Sequence, residues 1–308
     1  MSAIECLWDA GALLGEGPVW SAAEDVVYWV DIKVPRILRY GLADGAKAVF
    51  PMPDEVGCVG LVEGGGLVAG LRNGFHFVDL ERGSVEPIAD PEPDRPGNRF
   101  NDGKCDAAGR FWAGTMDDSE RDSTGALYRL DRDLSVTLVD AGYVVTNGPA
   151  FSPDGSLLYH NDSLAGVIYV FDCDPAGGSV ANKRVFARIA KADGYPDGIT
   201  VDAEGGVWCA LFDGWRVVRF QPDGTEDRSI DLPTACVTSC TFGGADLRTL
   251  FVTTACLTLD VAQSAEQPLA GGLFAVDAGV AGLPTPAFAP RWRPVRPAPP
   301  DPPEGPAR

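Results

Sequence analysis

The sequence predicts an all-β fold, a six-bladed β-propeller with four-stranded blades, and three observations carry that prediction. Short apolar runs bounded by Gly and Asp turns recur along the chain. They recur every 40 to 50 residues. No helical periodicity of useful length competes with them.

Six stretches align on their first turn: "EGPVWSAAEDVVYWVD" from Glu16, "CVGLVEGGGLVAGL" from Cys58, "NDGKCDAAGRFWAG" from Asn101, "NGPAFSPDGSLLYHND" from Asn147, "DGITVDAEGGVWCAL" from Asp197 and "TSCTFGGADLRTLFVTT" from Thr238. Their starts are 42, 43, 46, 50 and 41 residues apart. Each reads as a strand, a tight turn and a second strand rich in Val, Leu and aromatic residues. A second turn follows in each unit, as in "ADGA" near Asp44 and "PDGT" near Asp223, which makes four strands per unit. A sandwich pair of twelve strands would leave the even spacing unexplained, whereas radial repetition accounts for it. Closure of the ring is expected between the N-terminal "IECLWDA" and "GGLFAV" of the last blade. "SAEQPLAGG", 264–272, is read as holding one short helical turn. The propeller is assigned to 1–283. Most of the proline-rich tail, 284–308, is expected to be disordered.

Composition narrows the function. A hydrophobic content of 45% supports a large core, and a net charge of −19 with no basic run speaks against a nucleic-acid partner. No apolar run approaches a membrane span and no signal peptide is read, so the expected location is cytoplasmic. The eight cysteines show no CxxC and no zinc spacing, and they are expected to be buried, reduced thiols. The expected state is a monomer or weak oligomer. No GxSxG is present, and the two histidines, His76 and His160, read as structural.

Register across the repeats picks out the chemistry. Seven residues before the first turn stand Glu16, Cys58, Asn101, Asn147, Asp197 and Thr238. Equivalent positions of a propeller ring its axis, so four carboxyl or amide groups would converge on the channel. Asn-Gly and Asp-Gly also punctuate ordinary turns, but four such positions in register favour a site. Carboxylates crowded in a low-dielectric channel raise one another's pKa unless a cation joins them. Oxygen ligands of this kind suit Ca²⁺, Mg²⁺ or Mn²⁺, with Zn²⁺ and Fe²⁺ left open.

"LGEGPVW", "RFNDGKCDAAGRFWAGTM", "TNGPAFSPDG" and "YPDGITVD" resemble the signature segments of the SMP-30/gluconolactonase/regucalcin-like family, in order and over most of the chain to about residue 283. The resemblance implies one divalent metal at the channel mouth and hydrolysis of a sugar-derived aldonolactone, a small-molecule partner. It implies metal binding by Glu16, Asn147 and Asp197, with Asp197 also the general base, and substrate binding by Arg99 and Asn101. Asp102 is expected to orient Asn101 or Arg99, and Lys104 to pair with a carboxylate. Substitution of Arg99 or Asn101 is expected to impair turnover and barely alter metal affinity. An acidic residue after "GTM" that contacts substrate in some members matches Ser119 here, leaving Asp117, Asp118, Glu120 or none of them to take that part. The alternatives are a hydrolase of other lactones or phosphoesters on the same scaffold, and a non-enzymatic calcium-binding propeller.

Overall fold

The computed structural model describes residues 4–291. After β1 (Glu5–Trp8), blade one comprises β2 (Gly15–Ser21), β3 (Val26–Asp31), β4 (Arg36–Gly41) and β5 (Lys47–Pro51). Blade two is β6 (Val56–Leu61), β7 (Leu67–Leu71), β8 (Gly74–Asp79) and β9 (Ser84–Ala89). Blade three is β10 (Asn98–Cys105), β11 (Phe111–Asp117), β12 (Gly125–Leu130) and β13 (Val136–Tyr143). Blade four is β14 (Thr146–Phe151), β15 (Leu157–Asp162), β16 (Val167–Cys173) and β17 (Val180–Arg188). Blade five is β18 (Tyr195–Val201), β19 (Val207–Phe212), β20 (Arg216–Phe220) and β21 (Glu226–Asp231). Blade six is β22 (Val237–Gly243), β23 (Thr249–Thr254) and β24 (Leu273–Asp277), completed by β1.

The six-bladed propeller is thus observed, and so is its closure. Strand β1 pairs antiparallel with β24, Glu5 opposite Ala275 and Cys6 opposite Phe274. Each inner strand touches the inner strands of both neighbouring blades, from β2 through β6, β10, β14 and β18 to β22 and back to β2. Aromatic pairs fill several seams: Trp20 stacks on Phe251 at 5.7 Å, Phe75 meets Phe100 at 4.5 Å, Trp112 meets Phe151 at 5.5 Å and Trp208 meets Phe242 at 5.9 Å. Such pairs add about 0.5–1.5 kcal/mol each beyond the area they bury. Two indoles are also pinned by buried aspartates. Trp112 Nε1 donates to Asp106 and Trp208 Nε1 to Asp202, at 2.7 and 2.8 Å.

All eight cysteines are free thiols. The one α-helix among the described residues, α1 (Val261–Glu266), starts three residues ahead of the expected turn because Asp260 caps it. The tail departs from its composition as far as it is described. Phe288 is fully buried and its backbone bonds Leu61 and Glu63, while Ala289 N donates to Gly109. Residues 283–286 line one side of a cavity of about 470 Å³ formed by inner-strand residues such as Val59, Lys104, Thr200 and Thr241. The expectation of disorder otherwise falls on 292–308, which lie outside the described residues.

Candidate metal and substrate site

All six inner strands carry a register shift at the same height, between Glu16 and Val19, Val56 and Cys58, Phe100 and Gly103, Asn147 and Ala150, Pro196 and Ile199, and Val237 and Ser239. Each bulge breaks the in–out alternation and re-aims side chains at the channel. In blades one and four the turn depends on glycine: Gly17 and Gly148 follow Glu16 and Asn147 at φ of +52° and +80°.

The structure brings the implied residues together. Glu16 and Asp197 are both buried, and each carboxyl acts on the other. Burial and then the Asp102 charge push the Glu16 carboxyl up; burial and then the charges of Glu16 and Asp102 push Asp197 well above the usual range. Burial raises Asp102 to about 6 against the opposing pull of Lys104. Asp197 Oδ1 is buried with no hydrogen-bond partner.

Asn147 supplies an oriented amide. Its Nδ2 donates to Ser163 Oγ at 2.8 Å, and its Oδ1 accepts from Asn101 Nδ2 at 3.0 Å. That assignment leaves a lone pair of Oδ1 for a further partner. A cluster of buried carboxylates, an orphaned carboxylate oxygen and an oriented amide oxygen fit a hard divalent cation. Among the described residues no three His, Cys, Asp or Glu side chains gather as a preformed metal cluster, so the fit rests on Glu16, Asp197 and the Asn147 amide together.

Arg99 and Asn101 lie beside this group, both buried. Arg99 Nη1 donates to Asn101 Oδ1 at 2.7 Å and to Phe100 O at 3.0 Å; Asn101 Nδ2 also donates to Thr146 O at 2.8 Å. Asn101 therefore links the arginine to Asn147, and the clean division between clamp and metal residues drawn from the sequence does not hold for it.

Two expected partners differ. Asp102 bonds neither Asn101 nor Arg99; its oxygens accept from Gly103 N at 2.7 Å and Gly148 N at 2.9 Å, tying blade three to the bulge of blade four. Lys104 Nζ donates to the Ile199 carbonyl at 2.9 Å and forms no ion pair with a described carboxylate, although its charge acts on Asp102. His160 is fully buried and packs edge-on against Tyr143 at 4.9 Å, a structural role. Sequence reasoning missed Ser163 and Asn161, which hold Asn147 and the Asp197 carbonyl from the end of β15. The polar "HND" at the end of that strand was the available signal.

Residues 14–256 match the model of the SMP-30/gluconolactonase/LRE-like region. The chain is 39% identical to 6-deoxy-6-sulfogluconolactonase of Pseudomonas putida, over 93% of this chain and 98% of that one. It is 40% identical to L-arabinolactonase of Azospirillum brasilense, over 92% and 94%. A solved structure of regucalcin from Agrobacterium tumefaciens, a calcium-binding protein, superposes with a TM-score of 0.90 at 28% identity, covering 93% of this chain and 97% of that one.

Proposed function

Because the chain belongs to the SMP-30/gluconolactonase/LRE-like family, we propose that it hydrolyses a sugar-derived lactone, opening an aldonolactone to its aldonic acid. The observation that carries the reading is the hydrogen-bonded run from Arg99 through Asn101 to Asn147, which sets a cationic donor beside the carboxyl cluster. A pure cation store has no use for that arginine, which weighs against a calcium-binding propeller without catalysis.

Glu16, Asn147 and Asp197 would hold a divalent cation, which when bound supplies Lewis acidity for the lactone carbonyl and a counter-charge for the carboxylates. Asp197 acts as general base. Its Oδ1, without a protein partner, takes a proton from the water that attacks the carbonyl carbon. As the acyl–oxygen bond breaks, that proton passes to the ring oxygen, which leaves as the hydroxyl of the acid. Arg99 Nη2 makes no hydrogen bond to a described residue and is the donor available to the sugar, while Asn101 Oδ1 keeps a lone pair for a hydroxyl. Fixing the sugar between these groups supplies orientation. The eight free thiols suit a reducing compartment, in line with a cytoplasmic location.

The test is acid release from glucono-, xylono-, arabinono- and galactonolactone, followed with a pH indicator and corrected for spontaneous opening. Chelated protein, cation-restored protein and Asp197→Ala are compared across Ca²⁺, Mg²⁺, Mn²⁺, Zn²⁺ and Fe²⁺. Cation-restored turnover that Asp197→Ala abolishes supports the reading. No turnover above background with any pairing, together with tight cation binding, would transfer the site to cation binding alone.

A further inference from the structure

The three acidic residues at the end of β11 and just beyond it have three different fates. Asp117 turns back on its own loop, accepting from Ser119 Oγ at 2.6 Å, Arg121 N at 2.9 Å and Asp122 N at 3.0 Å. Glu120 is exposed. Asp118 faces the site, and its carboxylate is shared by three cations from three blades. Oδ1 accepts from Arg99 Nε at 2.8 Å and Lys33 Nζ at 2.7 Å; Oδ2 accepts from Arg72 Nη2 at 2.8 Å.

We propose that Asp118 is a positioning residue for lactone turnover, acting through Arg99. A guanidinium is a rigid planar fork, so fixing two of its nitrogens aims the third. Asp118 fixes Nε, while Phe100 O and Asn101 Oδ1 fix Nη1; Nη2 is left pointing where these bonds direct it. Asp118 itself is engaged on both oxygens by protein cations, so it serves the sugar indirectly. Lys33 and Arg72 hold the carboxylate in place and are themselves tied to Glu55, with Lys33 at 2.9 Å. Asp54 approaches Arg72 Nε at 3.7 Å from the solvent side. The rim of blades one to three is in this way braced against the arginine of the site.

The inference rests on the lactonase reading, so its test has one arm in kinetics and one outside them. In the kinetic arm, Asp118→Ala and Asp118→Asn are compared with wild type and with the same changes in an Arg99→Ala background. Misaiming Arg99 is expected to lower kcat/KM by about 10- to 100-fold. In the Arg99→Ala background the Asp118 change should add less than about threefold, because the residue it acts through is gone. A full effect in both backgrounds would make Asp118 a direct contact and overturn the proposal, as would wild-type kinetics in Asp118→Ala. In the second arm the Arg99 Nε–H resonance is assigned with Arg99→Lys. It should shift and lose exchange protection in Asp118→Ala, or in Asp118→Asn if the alanine variant does not fold. An unchanged resonance overturns the proposal even if the protein opens no lactone; a lost one with no lactonase activity would leave Asp118 in its role and remove the proposed reaction instead.

Discussion

Ser163→Ala isolates the part of the site that a ligand list omits. Ser163 Oγ is the acceptor for Asn147 Nδ2, at 2.8 Å and between residues that are 5% and 3% exposed. Alanine leaves a buried N–H without a partner, worth about 1–3 kcal/mol. The amide cannot relieve this by flipping in place, since its second N–H would then face the Asn101 amino group that now donates to Asn147 Oδ1. It either stays and loses stability or rotates away and takes its oxygen out of the cation site. The loss in unfolding free energy of the cation-free protein and the loss in cation-binding free energy should therefore sum to about 1–3 kcal/mol. If rotation takes the whole of it, cation affinity falls by about 5- to 150-fold, at 1.4 kcal/mol per tenfold. The assay is calorimetric titration of the chelated protein with Ca²⁺ and Mn²⁺, paired with denaturant unfolding. Wild-type values in both experiments would refute the claim that Ser163 orients Asn147.

Three other expectations follow from contacts described above. Asn101→Ala should lower lactone kcat/KM by about 100-fold and also weaken cation binding, because Asn101 Nδ2 donates to Asn147 Oδ1; titration separates it from Arg99→Ala, which should spare cation affinity. Phe288→Ala empties a fully buried position packed with Val62 and Phe111 and should cost about 3–5 kcal/mol in denaturant unfolding; a change below 1 kcal/mol would mean that the described tail is not docked in solution. Burial alone would raise the Asp118 carboxyl, but hydrogen bonds from Lys33, Arg72 and Arg99 outweigh it and hold the group below its usual range. Its folded pKa is depressed, so its stabilising contribution is fully present above about pH 4 and is lost as pH falls further, towards the folded value. The stability gap between wild type and Asp118→Asn should shrink below about pH 4; a gap independent of pH would contradict this.

The propeller was legible because its cause is local: each unit repeats turn glycines and aspartates between apolar strands, and the closing strand kept the same alternation. Glu16, Asn147 and Asp197 were legible through register, because repeats place equal positions on one ring. What decides their orientation was not. The six bulges leave no mark in composition, so the hydrogen-bond partners of Asp102 and Lys104 differ from those expected. Ser163 belongs to no motif, and the rim network joins Asp118 to residues 85 and 46 positions away, Lys33 and Arg72. The first residues of the tail, 284–291, were hidden for the opposite reason. Proline excess suggests disorder, yet one buried phenylalanine and a few backbone bonds dock Phe288 to Arg291.

The pairing of β1 with β24 also sets when the protein can work. During synthesis Glu16 leaves the ribosome long before Asp197, and the segment at Glu5–Trp8 has no partner until Leu273–Asp277 has been made. The earlier blades can form their own sheets, but the carboxyl cluster exists only once the circle is complete. A chain cut short in blade six therefore retains every residue of the site and lacks the scaffold that makes them neighbours. Catalysis in this architecture requires that Leu273–Asp277 has been made and has paired with Glu5–Trp8.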